Sequence, residues 1–336
     1  MDMGKKKQIK DTDYLYISAR LRCLERNILS AARMDRMIDA PSAGDAAKIL
    51  GEIGYGDIDL SNEQSLNDAL AAERERVLGD LSTQVPDPKV VDVFRVKYDY
   101  HNVKTMLKAL AVGSRPGRML VDAGRMPASR LEELMREGKY DSLPGDLPAA
   151  AAEAAELLST TGDPQRSDFA LDRAYYREML ALAEDVNSSF LKNYVQANID
   201  SANLRSAVRT LRMKKGGDFL KRVLFPGGTV DEERVLAAAM NNSLEELYRT
   251  TPLRTAAELG TAAIGGGSLI RFEKACDDAV TATVARAKRV PFGIEPVVGY
   301  LAAKEIEFTA VRVILTGRMA GLSGDAIRER LRESYV

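Results

Sequence analysis

The chain has no tryptophan, one histidine and two cysteines in 336 residues. A single histidine, His101, excludes multi-histidine metal sites such as H-E-x-x-H and is more often structural than catalytic. Cys23 and Cys276 lie far apart. They offer neither zinc-ligand spacing nor a disulfide framework, and two isolated thiols suit a reducing compartment. No apolar run approaches the ~20 residues that span a bilayer, so no direct bilayer insertion is expected. The charged N-terminus lacks the apolar stretch of a signal peptide. Acids and bases nearly cancel, 49 against 48. That balance argues against nucleic acid as a partner, since a phosphate backbone calls for a clear basic excess. The small basic clusters at Lys5-Lys6-Lys7 and from Arg286 to Arg289 read as a solvated tail and a helix end.

Motifs of chemistry are also missing. There is no G-x-x-x-x-G-K-[ST] and hence no P-loop for nucleotide. Gly265-Gly266-Gly267 lacks the G-x-G-x-x-G spacing and reads as a turn. No serine sits in a G-x-S-x-G elbow. Asp277-Asp278 is an adjacent carboxylate pair of the kind that binds metal in helical synthases. Such sites need a third acid one turn on, where this chain has Thr281, so the pair is expected to form a solvated face. No catalytic residue, cofactor site or metal site is expected.

What remains is a helical composition. Ala, Leu, Glu, Arg, Lys and Met abound, aromatics make up 6%, and alternating runs of strand type are almost absent. Tyr14, Ile17, Leu21, Leu24 and Ile28 form one stripe and predict a helix from about 12 to 39, ended by Pro41. Further helices are expected from about Ser61, where Asn62 and Ser65 offer capping oxygens, and over 88–110, 167–185, 188–213, 269–289 and 296–318. A short one is expected from 324 to 335. Leu143-Pro144-Gly145 and the alanines from 149 to 155 read as a boundary.

Three segments share one pattern of an acid, three residues, an aliphatic and a base: Asp99 to Lys104, Asp200 to Arg205 and Glu307 to Arg312. With the acids aligned, the apolar stripe keeps register. Its columns are Val93, Tyr194, Leu301; Val96, Ala197, Lys304; Tyr100, Ser201, Phe308; Val103, Leu204, Val311; and Leu107, Val208, Leu315. Acid and base, five residues apart, stand ~140° apart on the helix and cannot pair with each other. They are expected to flank the seam, the acid meeting a base on an adjacent element. Lys304 is the exception, a lysine in a seam position, expected to snorkel into a cavity or pair with an acid. The repeat divides the chain into units of 1–145, 146–250 and 251–336, and arrays of similar helical units normally act as scaffolds.

Several stretches resemble the C-subunit family of V-type (archaeal and bacterial A/V-type) ATP synthases, known as the d subunit in eukaryotes. Tyr14-Leu15-Tyr16-Ile17-Ser18-Ala19-Arg20-Leu21-Arg22 is similar to the family's opening helix. Asp99-Tyr100-His101-Asn102-Val103-Lys104 and Asp200-Ser201-Ala202-Asn203-Leu204-Arg205 resemble its Asp-x-x-Asn-aliphatic-basic motif. Pro296, Tyr300, Lys304-Glu305, Glu307, Val311-Arg312, Gly321 and Ile327 resemble its closing signature, with Phe308 and Thr309 as conservative departures. The resemblance implies an all-α fold of three similar helical subdomains forming a funnel with a central cavity. It implies a non-catalytic connector on the cytoplasmic side, peripheral to the membrane. That connector joins the central-stalk D and F subunits to the membrane rotor ring of proteolipid subunits and couples ATP chemistry to proton or sodium movement. Asp99, Lys104, Asp200, Arg205, Lys304, Glu307 and Arg312 are then the residues expected to line the cavity or lock the subdomains. The competing expectation is a helical-repeat adaptor for another partner.

Overall fold

The computed structural model describes residues 9–335. The Lys5-Lys6-Lys7 cluster lies outside them. The described residues form helices and no strand. The chain opens with α1 (Leu15–Leu24), α2 (Ala31–Asp39), α3 (Ala43–Gly51) and α4 (Glu63–Gln84). The first long striped helix follows, α5 (Lys89–Ala111), then α6 (Ala128–Arg136), α7 (Leu147–Thr161) and α8 (Pro164–Val186). The second, α9 (Ser189–Arg212), precedes α10 (Gly217–Val223), α11 (Glu232–Met240), α12 (Leu244–Tyr248), α13 (Arg254–Ile264) and α14 (Leu269–Val284). The third, α15 (Ile294–Met319), is followed by α16 (Gly324–Arg328).

The caps follow the local chemistry. Ser30, Ser42, Asn62, Asp163, Ser188, Asp231, Ser268 and Ser323 each accept a backbone N–H of the turn they open. These side chains satisfy donors that a helix start leaves free.

Four expectations change. The helix expected over 12–39 is two helices with an extended break at Ile28 (φ −72°, ψ 144°). The break frees the Leu29 N–H, which donates to Glu307 on α15. The alanine run from 149 to 155 is not a linker, for it lies inside α7, which packs on α8 and α5. Small side chains let those helices approach closely. The basic stretch from 286 to 289 belongs to a 3-10 turn, Ala285–Arg289, after α14. The last helix stops at Arg328 because the segment beyond it is taken up by α14. Lys274 donates to the Leu331 carbonyl, and the Glu333 N–H donates to Asp278.

The order of elements recurs. Each of α2, α6 and α11 has nine residues. Each is followed by a shorter or equal element, α3, the 3-10 turn Tyr140–Ser142 and α12 respectively. α6 packs on α5, α11 on α9 and α2 on α15. The helix leading into each next striped helix packs on the preceding one, α8 on α5 and α14 on α9. For α15 that helix is α4, from the start of the chain. One core, formed by the end of α9 with α10 to α14, is separate from the larger core holding α5, α15 and the N-terminal helices.

Candidate functional site

The aligned acids all point into the protein. Asp99 is fully buried, Asp200 is 5% exposed and Glu307 2%. A buried carboxylate needs several donors, and each acid finds them on a loop rather than on a neighbouring helix.

In the first two repeats the arrangement is the same bond for bond. Asn102 donates to the Val121 carbonyl and accepts the Val121 N–H, both at 2.8 Å. Asn203 does the same with Phe225, again at 2.8 Å. Four residues along each loop, the Arg125 N–H donates to Asp99 (3.0 Å) and the Thr229 N–H to Asp200 (3.1 Å). Asp and Asn, one helical turn apart, therefore clamp a loop in fixed register. The residue just before the second grip is Gly124 in one loop and Gly228 in the other. A Cβ at Gly124 would stand 2.1 Å from Asp99 Oδ1, and one at Gly228 would stand 2.2 Å from Asp200 Oδ1. Only glycine lets the backbone come this close to the carboxylate.

The third repeat has Ala310 in place of the Asn, and its loop comes from the other end of the chain. Glu307 accepts the Leu29 N–H (2.7 Å), the Tyr55 hydroxyl (2.6 Å) and the Lys304 ammonium (2.5 Å). α1 is tied down nearby. Arg22 donates to the carbonyls of Ala287 and Val290, and Ser18 to that of Gly293.

The charges around the acids differ. Asp99 meets a base on an adjacent element, the Arg125 guanidinium, which also bridges to Glu178 on α8. Asp200 meets no base among the described residues, and the Thr229 hydroxyl and the N–H groups of Thr229 and Val230 serve instead. Glu307 takes its cation from Lys304 on its own helix. Lys304 is 5% exposed and does not reach solvent; its ammonium also lies 3.4 Å from Glu73 and near the rings of Tyr55 and Phe308. Burial pushes the Asp99 carboxyl above its ordinary range despite Arg125, and pushes Asp200 up against its three hydrogen bonds.

The motif bases reach outward. Lys104 pairs with Asp172 on α8, and Arg205 with Glu273 and Asp277 on α14. Arg312 is exposed, and no ion pair to it is present among the described residues. Burial, and after it the charge of Arg74, holds its guanidinium below the usual arginine range, with Tyr98 and Glu63 acting the other way. Asp277 and Asp278 do not form the expected solvated face. Asp277 bridges Arg205 and Arg332, and Asp278 holds Lys274 and the Glu333 N–H.

The three striped helices meet. Phe94 of α5 stacks on Tyr194 of α9 with centroids 5.3 Å apart, and α15 packs on both helices. Two residues before each acid stand Lys97, Asn198 and Glu305, the same repeat position in three helices. All three line one cavity of about 210 Å³. Lys97 bridges to Glu305 at 2.5 Å, and the Tyr98 hydroxyl donates to Glu305 at 2.7 Å. Arg205, Asp277 and Arg332 line the same space. Among the described residues, no group of three His, Cys, Asp or Glu side chains is arranged to hold a metal. Nor, among them, is any helix long and apolar enough to cross a membrane.

The sequence singles out Asp99, Asp200, Glu307, Lys304 and the three bases, but not Arg125, Gly124, Gly228 or the Lys97–Asn198–Glu305 set. The last was readable, since the same alignment that ranks the acids puts those residues in one column.

The sequence pattern of the ATP synthase (C/AC39) subunit family matches residues 17–330. Curated relatives include the C subunit of the V-type sodium ATPase of Enterococcus hirae, 23% identical over 96% of this chain and 99% of its own length. The C subunit of the A-type ATP synthase of Methanocaldococcus jannaschii is 26% identical over 95% of this chain and 86% of its own. Its counterpart in the V-type ATP synthase of Thermus thermophilus is 25% identical over 92% and 94%.

Proposed function

Since the chain belongs to the ATP synthase (C/AC39) subunit family, we propose that it is a non-catalytic connector in a V- or A-type ATP synthase or ATPase. In this reading it joins the central-stalk D and F subunits to the membrane rotor ring and carries torque between ATP chemistry and ion transport. It sits at the membrane through the complex rather than in the bilayer. The names of the relatives support membership of such a complex.

One observation carries the reading: equivalent positions of three repeat helices, Lys97, Asn198 and Glu305, face a common cavity. That is the arrangement expected of three subdomains gathered around a shared axis, although a space of about 210 Å³ is itself too small to seat a stalk. Each subdomain then starts at a striped helix, which moves the limits expected at 145 and 250. The third unit pairs α15 with α2, α3 and α4, and their packing supports this. A close-packed helical interior transmits strain, as a rotor joint must. Asp99, Asp200, Lys304 and Glu307 are read as locks within subdomains, and Lys104 and Arg205 as braces to α8 and α14. Arg312, exposed and without an ion pair among the described residues, is read as a contact for an acidic partner group.

Capture of a purified D–F stalk pair by the immobilised chain tests the proposal. The wild type is expected to bind. Arg312→Glu is expected to bind at least about tenfold more weakly with an unfolding midpoint within about 1 °C of wild type. Arg205→Glu is expected to lower the midpoint, because it sets a third carboxylate against Glu273 and Asp277. A wild-type chain that ignores the stalk pair would end the reading.

A further inference from the structure

A second cavity, of about 360 Å³, opens beside Asp200. Its walls are mostly apolar, with Ala197, Leu253, Ala279 and Val280 among them, and Asp200 and Thr229 stand among its polar members. Arg286 also lines it and is exposed.

The pseudo-equivalent acids explain why the space is there. Position 197 aligns with Lys304, whose ammonium reaches Glu307 in the third repeat. Position 229 aligns with Arg125, whose guanidinium reaches Asp99 in the first. Repeat two has Ala197 and Thr229 at those two places, and both border the cavity. The two side chains that would deliver a cation are the two that are cut short. The carboxylate they would serve is retained, 5% exposed, at the wall of the gap. Ala197 is also the one residue of the aligned apolar columns that is not buried, because it faces this opening.

We propose that this cavity is a binding site for a small organic cation, an alkyl- or arylguanidinium or an alkylammonium, whose charged end pairs with Asp200 and whose body lies on the apolar wall. The occupant supplies from outside what Lys304 and Arg125 supply from within. The size fits a compact ligand, and a charge-assisted bond to a buried carboxylate is among the stronger polar contacts. The inference stands apart from the connector role and holds whether or not the chain binds a stalk.

The test is a titration of the full chain with butylguanidinium and, separately, with the peptide acetyl-Ala-Arg-Ala-amide, read by thermal unfolding and by NMR shifts. Butylguanidinium at tenfold its Kd is expected to raise the Tm by roughly 2 °C. Asp200→Asn is expected to weaken binding at least about tenfold. Ala197→Lys retains Asp200, restores the internal cation and is expected to raise Tm while abolishing binding. If the peptide binds as well as the free cation, the natural occupant is a side chain of a protein segment; if only the free cation binds, it is a small molecule. Failure of both probes, or binding that survives Ala197→Lys, overturns the proposal.

Discussion

Asp99 and Asp200 sit in clamps built from the same backbone grips, yet only Asp99 has a cation bonded to it among the described residues. Around Asp99 the guanidinium of Arg125 joins two buried carboxylates, that of Asp99 and that of Glu178. Around Asp200 there is a hydroxyl, two N–H groups and a cavity. What the repeats share is therefore backbone geometry: a helix Asp-x-x-Asn holding a loop through its peptide groups, with glycine at the point of closest approach. Neutralising the acid is a separate task, done by Arg125 in the first repeat and by Lys304 in the third, while Asp200 has no side-chain cation among the described residues.

The largest predicted asymmetry comes from removing the charge partners. Arg125→Ala strands two buried carboxylates and should cost about 3–5 kcal/mol in urea unfolding. Thr229→Val removes one hydroxyl bond and should cost about 1 kcal/mol. Equal costs would mean that Arg125 is not the keystone of the first clamp.

Filling the glycines comes next. Gly124→Ala should cost about 3 kcal/mol, because Arg125 pins Asp99 against the added methyl. Gly228→Ala should cost less, since Asp200 can move toward the adjoining cavity. The reverse order, measured by the same unfolding curves, would deny the cavity any role as relief.

The shared part of the comparison is tested by the asparagines. Asn102→Ala and Asn203→Ala each orphan one N–H and one carbonyl, and each should lose about 2 kcal/mol. The two losses should agree within about 0.5 kcal/mol, and a large difference would break the equivalence of the clamps.

The smallest effect is a pH dependence. Burial raises Asp200 above the ordinary aspartate range, so the folded chain keeps this proton to higher pH than the unfolded chain. Its contribution to stability is then full below about 3.9 and falls as pH rises through the elevated folded value. Asp200→Asn should flatten that part of the unfolding profile, leaving the like-signed slope from Asp99. A profile unchanged in slope would show that Asp200 does not titrate differently on folding.

Much of this architecture is legible in the sequence, and for a physical reason. Long buried helices such as α5, α9 and α15 print their packing as recurring apolar columns in the sequence, and the Ser188 cap marks the start of α9. The alanines of α7 carry no contrast between faces, so no period betrays them. The short α10 to α13 hold too few turns for a stripe to emerge. The break at Ile28 is hidden because its cause, the carboxylate of Glu307, lies 278 residues away from Leu29. The acids themselves stand out by repetition. Their partners on the loops do not, because a backbone N–H can come from any residue, and Gly124 and Gly228 are distinguished only by the oxygen beside them. Asp277-Asp278 shows the opposite error: a charge pair on a helix face looks solvated until the tail that covers it is known.

Leu29 meets Glu307 only after 278 further residues have been made. During synthesis, therefore, α1 to α3 leave the ribosome long before the helix that covers them. Their apolar faces, with Met37, Ile38 and Leu50 now wholly inside, stay open to chaperones and proteases until α15 has been made. The first two clamps can close as each loop emerges, but the third is a late, long-range event of the kind that slows folding. A ribosome stalled before residue 294 would hold a chain with two finished parts and one loose end, ready to be cleared.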